Sequence, residues 1–176
     1  MKNSIKITFC SIITALSVIF MLLSYFPYFT YAVPAVTGLL MMILVIELST
    51  RWAFAAYVAS SLLVFLFAEP ESKLMYICLF GYYPILKAII EKLNKPVIEW
   101  ILKLLVFNAA VISVYLIFAG IFGISLDDFK TLGKYGAYVF LAVGNAVFVL
   151  YDIAVSRTAM FYISRFHNRV KKMLKL

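Results

Sequence analysis

Long apolar runs, with charge swept into the gaps between them, decide which solvent this chain folds in. Ile5–Phe26, Ala32–Leu48, Trp52–Ala68 and Leu104–Ile124 approach or reach the roughly 20 residues needed to cross a hydrocarbon layer about 30 Å thick. Hydrophobic residues make up 65% of the 176, and the mean hydropathy is +1.03. A soluble domain of this size can bury only one or two such helices. The chain therefore reads as a polytopic inner-membrane protein of the all-α class: one membrane domain, with no room for a separate soluble module.

Six membrane-spanning helices are predicted, at about 5–26, 32–49, 52–68, 73–92, 97–124 and 135–158. Ser49-Thr50-Arg51 makes a tight polar turn between the second and third. Glu69-Pro70-Glu71-Ser72 parts the third from the fourth, and Asn94-Lys95-Pro96 parts the fourth from the fifth, because proline disfavours helix in the residue before it. Asp127-Asp128 through Gly136 forms a long connection. With this map, every basic residue except Lys73, Lys130 and Lys134 gathers on one side, out of 16 in all. Positive charge marks the cytoplasmic side, which puts both termini inside. Residues 1–158 then form the six-helix domain. Residues 159–176 form a basic amphipathic cytoplasmic tail, with Phe161, Phe166 and Val170 set among Arg and Lys, suited to lying on anionic membrane lipid. The first apolar run is too long for the core of a cleavable signal peptide and lacks a small-residue cleavage site.

The net charge of +8 does not point to nucleic acid, because the basic residues flank membrane segments, where topology and lipid contact require them. Cys10 and Cys78 sit in apolar segments without metal or redox spacing. The lone histidine, His167, lies in the tail, so no His-based metal site is expected and no cofactor is implied. HExxH, GxSxG and P-loop motifs are missing from the sequence, and so is a pair of intramembrane carboxylates or a coupling acid near the midplane. The chain reads as neither an enzyme nor a pump working alone, and the missing acids count against lipid-modifying chemistry.

Ionisable and amide side chains within spans each need a physical reason. Glu47/Arg51, Lys87/Glu91 and Glu99/Lys103 are opposite charges four apart near the cytoplasmic ends. They suit snorkelling interfacial pairs or a charged docking surface. Asp152 and Arg157, five apart at the inner end of the sixth span, face somewhat different directions, and Asp152 can instead pair with Lys87 or Lys103 on a neighbouring helix. Asn108 and Asn145 fall near mid-bilayer, and Tyr82-Tyr83-Pro84 falls at similar depth, where Gly81 and Pro84 loosen the helix. These groups suit interhelical hydrogen bonds or a ligand pocket, and the two are compatible. The first outside loop, Ser24–Pro34, carries Tyr25, Phe26, Tyr28, Phe29 and Tyr31, the last three of them between Pro27 and Pro34, and no charge. It fits an interfacial aromatic belt or the lid of a pocket.

About 175 residues, six spans, internal termini and an aromatic first loop resemble the substrate-binding S components of energy-coupling factor transporters. The start Lys6-Ile-Thr-Phe-Cys-Ser-Ile-Ile-Thr-Ala-Leu-Ser-Val18, the stretch Val33–Leu40 and the polar turn near Arg51 carry the resemblance. It implies a vitamin-like nutrient bound from outside, with Tyr82, Tyr83, Asn108, Asn145, Tyr28 and Tyr31 at the site. It also implies a partner T component with ATPase subunits, docked through Ser11, Ala15, Arg51 and Lys87. Ser11-x3-Ala15 stands where that family often has Ala-x3-Ala. An organic substrate is expected, since the N-terminal histidine of metal-transporting members is missing from the sequence. The alternative is a non-catalytic membrane scaffold of envelope or cell-shape assembly, in which the asparagines join helices and the basic face binds a partner.

Overall fold

A computed structural model of the chain describes residues 3–26, 28–122 and 136–173. Among these it is all-helical: α1 (Asn3–Leu22), α2 (Ala32–Glu47), α3 (Thr50–Phe67), α4 (Pro70–Met75), α5 (Tyr83–Ile90), α6 (Pro96–Phe122), α7 (Gly136–Tyr162) and α8 (Asn168–Met173). Asp127, Asp128, Lys130 and Lys134 of the predicted outside connection, and Lys175 of the tail, lie outside the described residues.

Five helical stretches are long and apolar enough to cross a membrane: Asn3–Tyr25, Thr50–Phe67, Pro70–Leu93, Pro96–Val114 and Leu141–Lys172. The sixth apolar helix, α2, has only 16 residues, or about 24 Å of rise. It is also the most central of them. α2 supplies Met41 and Leu44 to one buried cluster, Val33 to a second and Met42 to a third, so its neighbours surround it. The outer helices instead show bare apolar side chains: Ile12 and Ile19 on α1, Leu62 and Leu66 on α3, Ile101 and Leu105 on α6, Val147 and Leu150 on α7. Helices apolar on the outward as well as the inward face belong in hydrocarbon.

Pro70–Leu93, the fourth stretch once α2 is counted, begins three residues earlier than its predicted start. Pro70 takes the first helical position, where its missing N–H costs nothing, and the Glu69 carboxylate accepts the Ser72 N–H at 2.9 Å. Between α4 and α5 the chain makes a π turn over Tyr76–Phe80, and the Gly81 N–H reaches back to the Tyr76 carbonyl at 2.8 Å. Pro84 opens α5 without the N–H that would have bonded the Phe80 carbonyl. That carbonyl instead backs onto α2: a Cβ on Gly38 would lie 2.5 Å from the Phe80 oxygen and 2.8 Å from the Tyr151 hydroxyl. Gly38 thus lets two backbones meet.

Residue 158, the predicted end of the sixth span, is not an end of helix. α7 continues to Tyr162, through a π turn at Ile163–His167, into α8. At this end of the bundle Lys6 lies 5.8 Å from the Trp52 ring, and His167 Nδ1 lies 3.0 Å from Glu47 Oε1. At the opposite end the first loop is tied down: Tyr25 donates to the Phe67 carbonyl at 3.0 Å and Ser72 to the Thr30 carbonyl at 2.7 Å.

Candidate functional site

The most concentrated chemistry lies between α5, α6 and α7. Lys87 and Lys103 each touch both Asp152 and Glu91, so four charges of alternating sign close into a ring. Lys87–Glu91 is 3.0 Å, Lys103–Glu91 2.8 Å and Lys103–Asp152 3.2 Å, and Lys87 also pairs with Asp152. Tyr83 donates a further hydrogen bond to Asp152. Relative exposure is 5% for Lys87 and 4% for both Lys103 and Asp152, whereas the Glu91 side chain is 43% exposed. Burying charge is tolerable only when partners compensate the lost hydration, and the ring balances two cations with two anions. Trp100 marks its edge, with the Lys103 ammonium 5.4 Å from the indole centroid.

Each member is delivered by ordinary helical geometry. Lys87 and Glu91 are one turn apart at the end of the fourth stretch, Lys103 sits in the second turn of α6, and Asp152 faces inward from α7. Lys87/Glu91 therefore form the pair that their spacing predicted, but within the bundle and not as a snorkelling surface pair. The other two spacings are corrected. α2 ends at Glu47, and Ser49 is extended at φ 177° and ψ 169°, so Glu47 and Arg51 do not share a helix. Glu47 is buried and accepts instead from Tyr162 at 2.9 Å, with His167 alongside. Glu99 accepts the Lys95 backbone N–H at 3.1 Å, while Lys103 turns inward. The sequence reading named Asp152 and gave its pairing with Lys87 or Lys103 as an alternative, but it missed the burial of this acid, which stands near the predicted end of the sixth span.

Asn108 and Asn145 do meet. Each side-chain amide donates to the other's oxygen, at 2.9 and 3.0 Å, and to the carbonyl four residues back, Leu104 and Leu141, at 2.8 and 2.7 Å. All four N–H groups are thereby used on protein. Tyr83 does not join this pair. Phe107 and Phe148, stacked at 4.4 Å, occupy the next layer, and Tyr83 lies edge-on to Phe148 at 5.0 Å. Tyr82 faces the other way, 6.2 Å from Tyr57.

Tyr28 and Tyr31 belong to the far end. Tyr28 is 98% exposed with φ 73°. Tyr31 donates to Glu71 Oε2 at 3.1 Å, a bond that, together with partial burial and the charges of Glu71 and Glu69, holds its phenol above the ordinary range. An apolar hollow of about 410 Å³, open along one side, lies beside this loop, and Val33 is the one buried residue of its lining. Phe20 and Leu23 wall it from the end of α1, Phe26 and Phe29 from the loop, and Ala32, Val33 and Val36 from α2. None of the six expected site residues, Tyr82, Tyr83, Asn108, Asn145, Tyr28 and Tyr31, contributes to that lining. Of the expected docking residues, Ser11, Ala15 and Arg51 are exposed, whereas Lys87 is enclosed in the charge ring.

Comparison with family models, with curated proteins and with solved structures finds no match for this chain.

Proposed function

We propose that the chain is a six-span cell-membrane protein with both termini cytoplasmic. In this reading it binds a small, largely apolar or flat organic nutrient for uptake, in the manner of the S components it resembles. A separate T component with ATPases would supply the energy. One observation carries this reading: the half-open apolar hollow of about 410 Å³ beside an uncharged aromatic loop, a volume within the roughly 300–1,000 Å³ of small-molecule sites. Its apolar walls supply desolvation and ring contact, and Tyr28 and Tyr31, which do not line it, belong to the same loop and would offer a ligand polar handles only if the loop closed over it. The scaffold reading is favoured by a different observation, the mutual satisfaction of Asn108 and Asn145, which joins two helices and leaves no amide N–H free for a ligand.

The discriminating experiment is a thermal-stability screen of the purified chain against vitamins and related metabolites, since a ligand bound only by the folded form must raise its apparent stability. A nutrient that stabilises the wild type, and loses that effect with Ala32→Trp filling the cavity, is the expected result. Asn108→Leu/Asn145→Leu should leave the effect in place. Loss of binding in the double-leucine protein and not in Ala32→Trp would move the site to the asparagines. No stabilisation by any metabolite, alongside co-purification with an envelope-assembly complex, would favour the scaffold.

A further inference from the structure

The charge ring has one member unlike the rest. Lys87, Lys103 and Asp152 are enclosed, and only Glu91 reaches solvent. A single oxygen of Glu91, Oε1, receives both ammonium groups, at 3.0 and 2.8 Å. Glu91 also stands at the start of a short 3-10 turn, Glu91–Leu93, that ends with Asn94 in the left-handed region at φ 51°. Its backbone is the edge of the hairpin into α6, not the middle of a packed helix.

We propose that Glu91 is a resident stand-in for an exchangeable anion, and that a phosphate-class oxyanion takes its place between Lys87 and Lys103. Charge balance dictates the ligand's sign. When the Glu91 carboxylate swings out, Asp152 alone faces two buried ammonium groups, and only an incoming anion restores neutrality at low cost. The geometry dictates its form: one oxygen already suffices to bridge both lysines, and a phosphate offers such an oxygen with others left to face solvent. Lys92 and Lys95, exposed on the same hairpin, raise the local potential for anions approaching from that side. Two sources share this chemistry, a free phosphate group and the headgroup of an anionic lipid, which basic pockets between membrane helices bind at the cytoplasmic side. The site is independent of the apolar cavity at the opposite end, so it stands or falls apart from the nutrient reading.

Trp52→Phe leaves Trp100 as the single indole, and its emission reports the Lys103 ammonium beside it. In detergent, sodium phosphate titrated against sodium chloride at equal ionic strength should change Trp100 emission saturably. At about fivefold over the dissociation constant it should raise the melting temperature by roughly 2–4 °C. In nanodiscs, phosphatidic acid or phosphatidylglycerol against phosphatidylcholine alone supplies the lipid arm. A response in either arm supports the proposal and identifies the source. Glu91→Gln, which removes the competing carboxylate, should tighten the response about tenfold, the equivalent of ~1.4 kcal/mol. Glu91→Gln/Lys103→Met keeps the neutral Lys87–Asp152 pair, and with it the fold; it is read by melting temperature, because Trp100 no longer has an ammonium to report, and should lose the phosphate-dependent rise. Absence of a phosphate- or headgroup-specific change in both the wild type and Glu91→Gln would overturn the proposal, as would an undiminished response in the charge-balanced double variant.

Discussion

Asp152 is the residue on which the most electrostatics converges. It receives Lys87, Lys103 and Tyr83, and its own carbonyl accepts from Ser156 at 3.0 Å. Replacing it with alanine leaves two enclosed ammonium groups with the half-exposed Glu91 as their only ring partner. Breaking a buried ion pair from one side costs about 3–5 kcal/mol, so Asp152→Ala should bring the steepest loss of stability among single ring variants in detergent unfolding. Glu91→Gln should cost much less, because water already shares that carboxylate. The asparagine pair obeys a different rule. Asn108→Leu strands Asn145 with only the Leu141 carbonyl as amide acceptor, whereas the double leucine variant strands neither. Interhelical hydrogen bonds in membranes average about 0.6 kcal/mol and reach about 1.7. A double-mutant cycle should therefore return a coupling of roughly that size, with the single variants summing to more than the double. Strict additivity would mean that the amides do not meet.

At the scale of elements, the bend in the fourth stretch and the glycine facing it form one device. Sequence already pointed to a weak helix at Gly81 and Pro84, because those residue types disturb the backbone ladder wherever they stand. What it did not show was the partner. Gly38 lies in an apolar helix where nothing local distinguishes a lipid-facing glycine from one pressed against another backbone. Adding a methyl there drives a Cβ against the Phe80 carbonyl and the Tyr151 hydroxyl. Neither is the free end of a flexible chain, since Tyr151 is held by the Ala35 carbonyl at 3.3 Å. Gly38→Ala should destabilise by about 1–3 kcal/mol, while Gly144→Ala, with only ordinary contacts near 3.8 Å from Phe107, should change stability little. Equal melting temperatures for the two variants would remove the close-approach argument. The same limit explains the ion pairs. Spacing of four identified Lys87 and Glu91 but invited the same reading for Glu47 and Arg51, and only the three-dimensional path shows a helix ending between that second pair.

For the whole molecule, the apolar runs alone were enough to fix an all-helical bundle of membrane character, because hydrocarbon length and backbone hydrogen bonding leave few other solutions. The site was less legible. Partners of Asp152 and Glu47 lie 49 to 120 residues away, and a single sequence carries no record of such distances. One consequence reaches across the entire bundle. Glu47 at the end of α2 holds His167 and Tyr162, while Lys6 lies by Trp52 at the start of α3. The N-terminal end of α1 and the tail therefore share one end, and the aromatic loop occupies the other. On the six-span proposal the crossings are even in number, with the central and short α2 counted among them. Cysteines introduced singly at Asn3 and Lys172, in a chain with Cys10→Ala and Cys78→Ala, should both resist a membrane-impermeant maleimide added to intact cells and react once the cells are opened. A cysteine at Tyr28 should react in intact cells. Labelling of residues 3 and 172 from opposite sides would require an odd number of crossings, and α2 would then have to lie within the bundle without traversing the bilayer. Should Asn3 and Lys172 both label in intact cells, the even count would survive and the orientation would reverse, placing the charge ring toward the outside and the apolar cavity toward the cytoplasm.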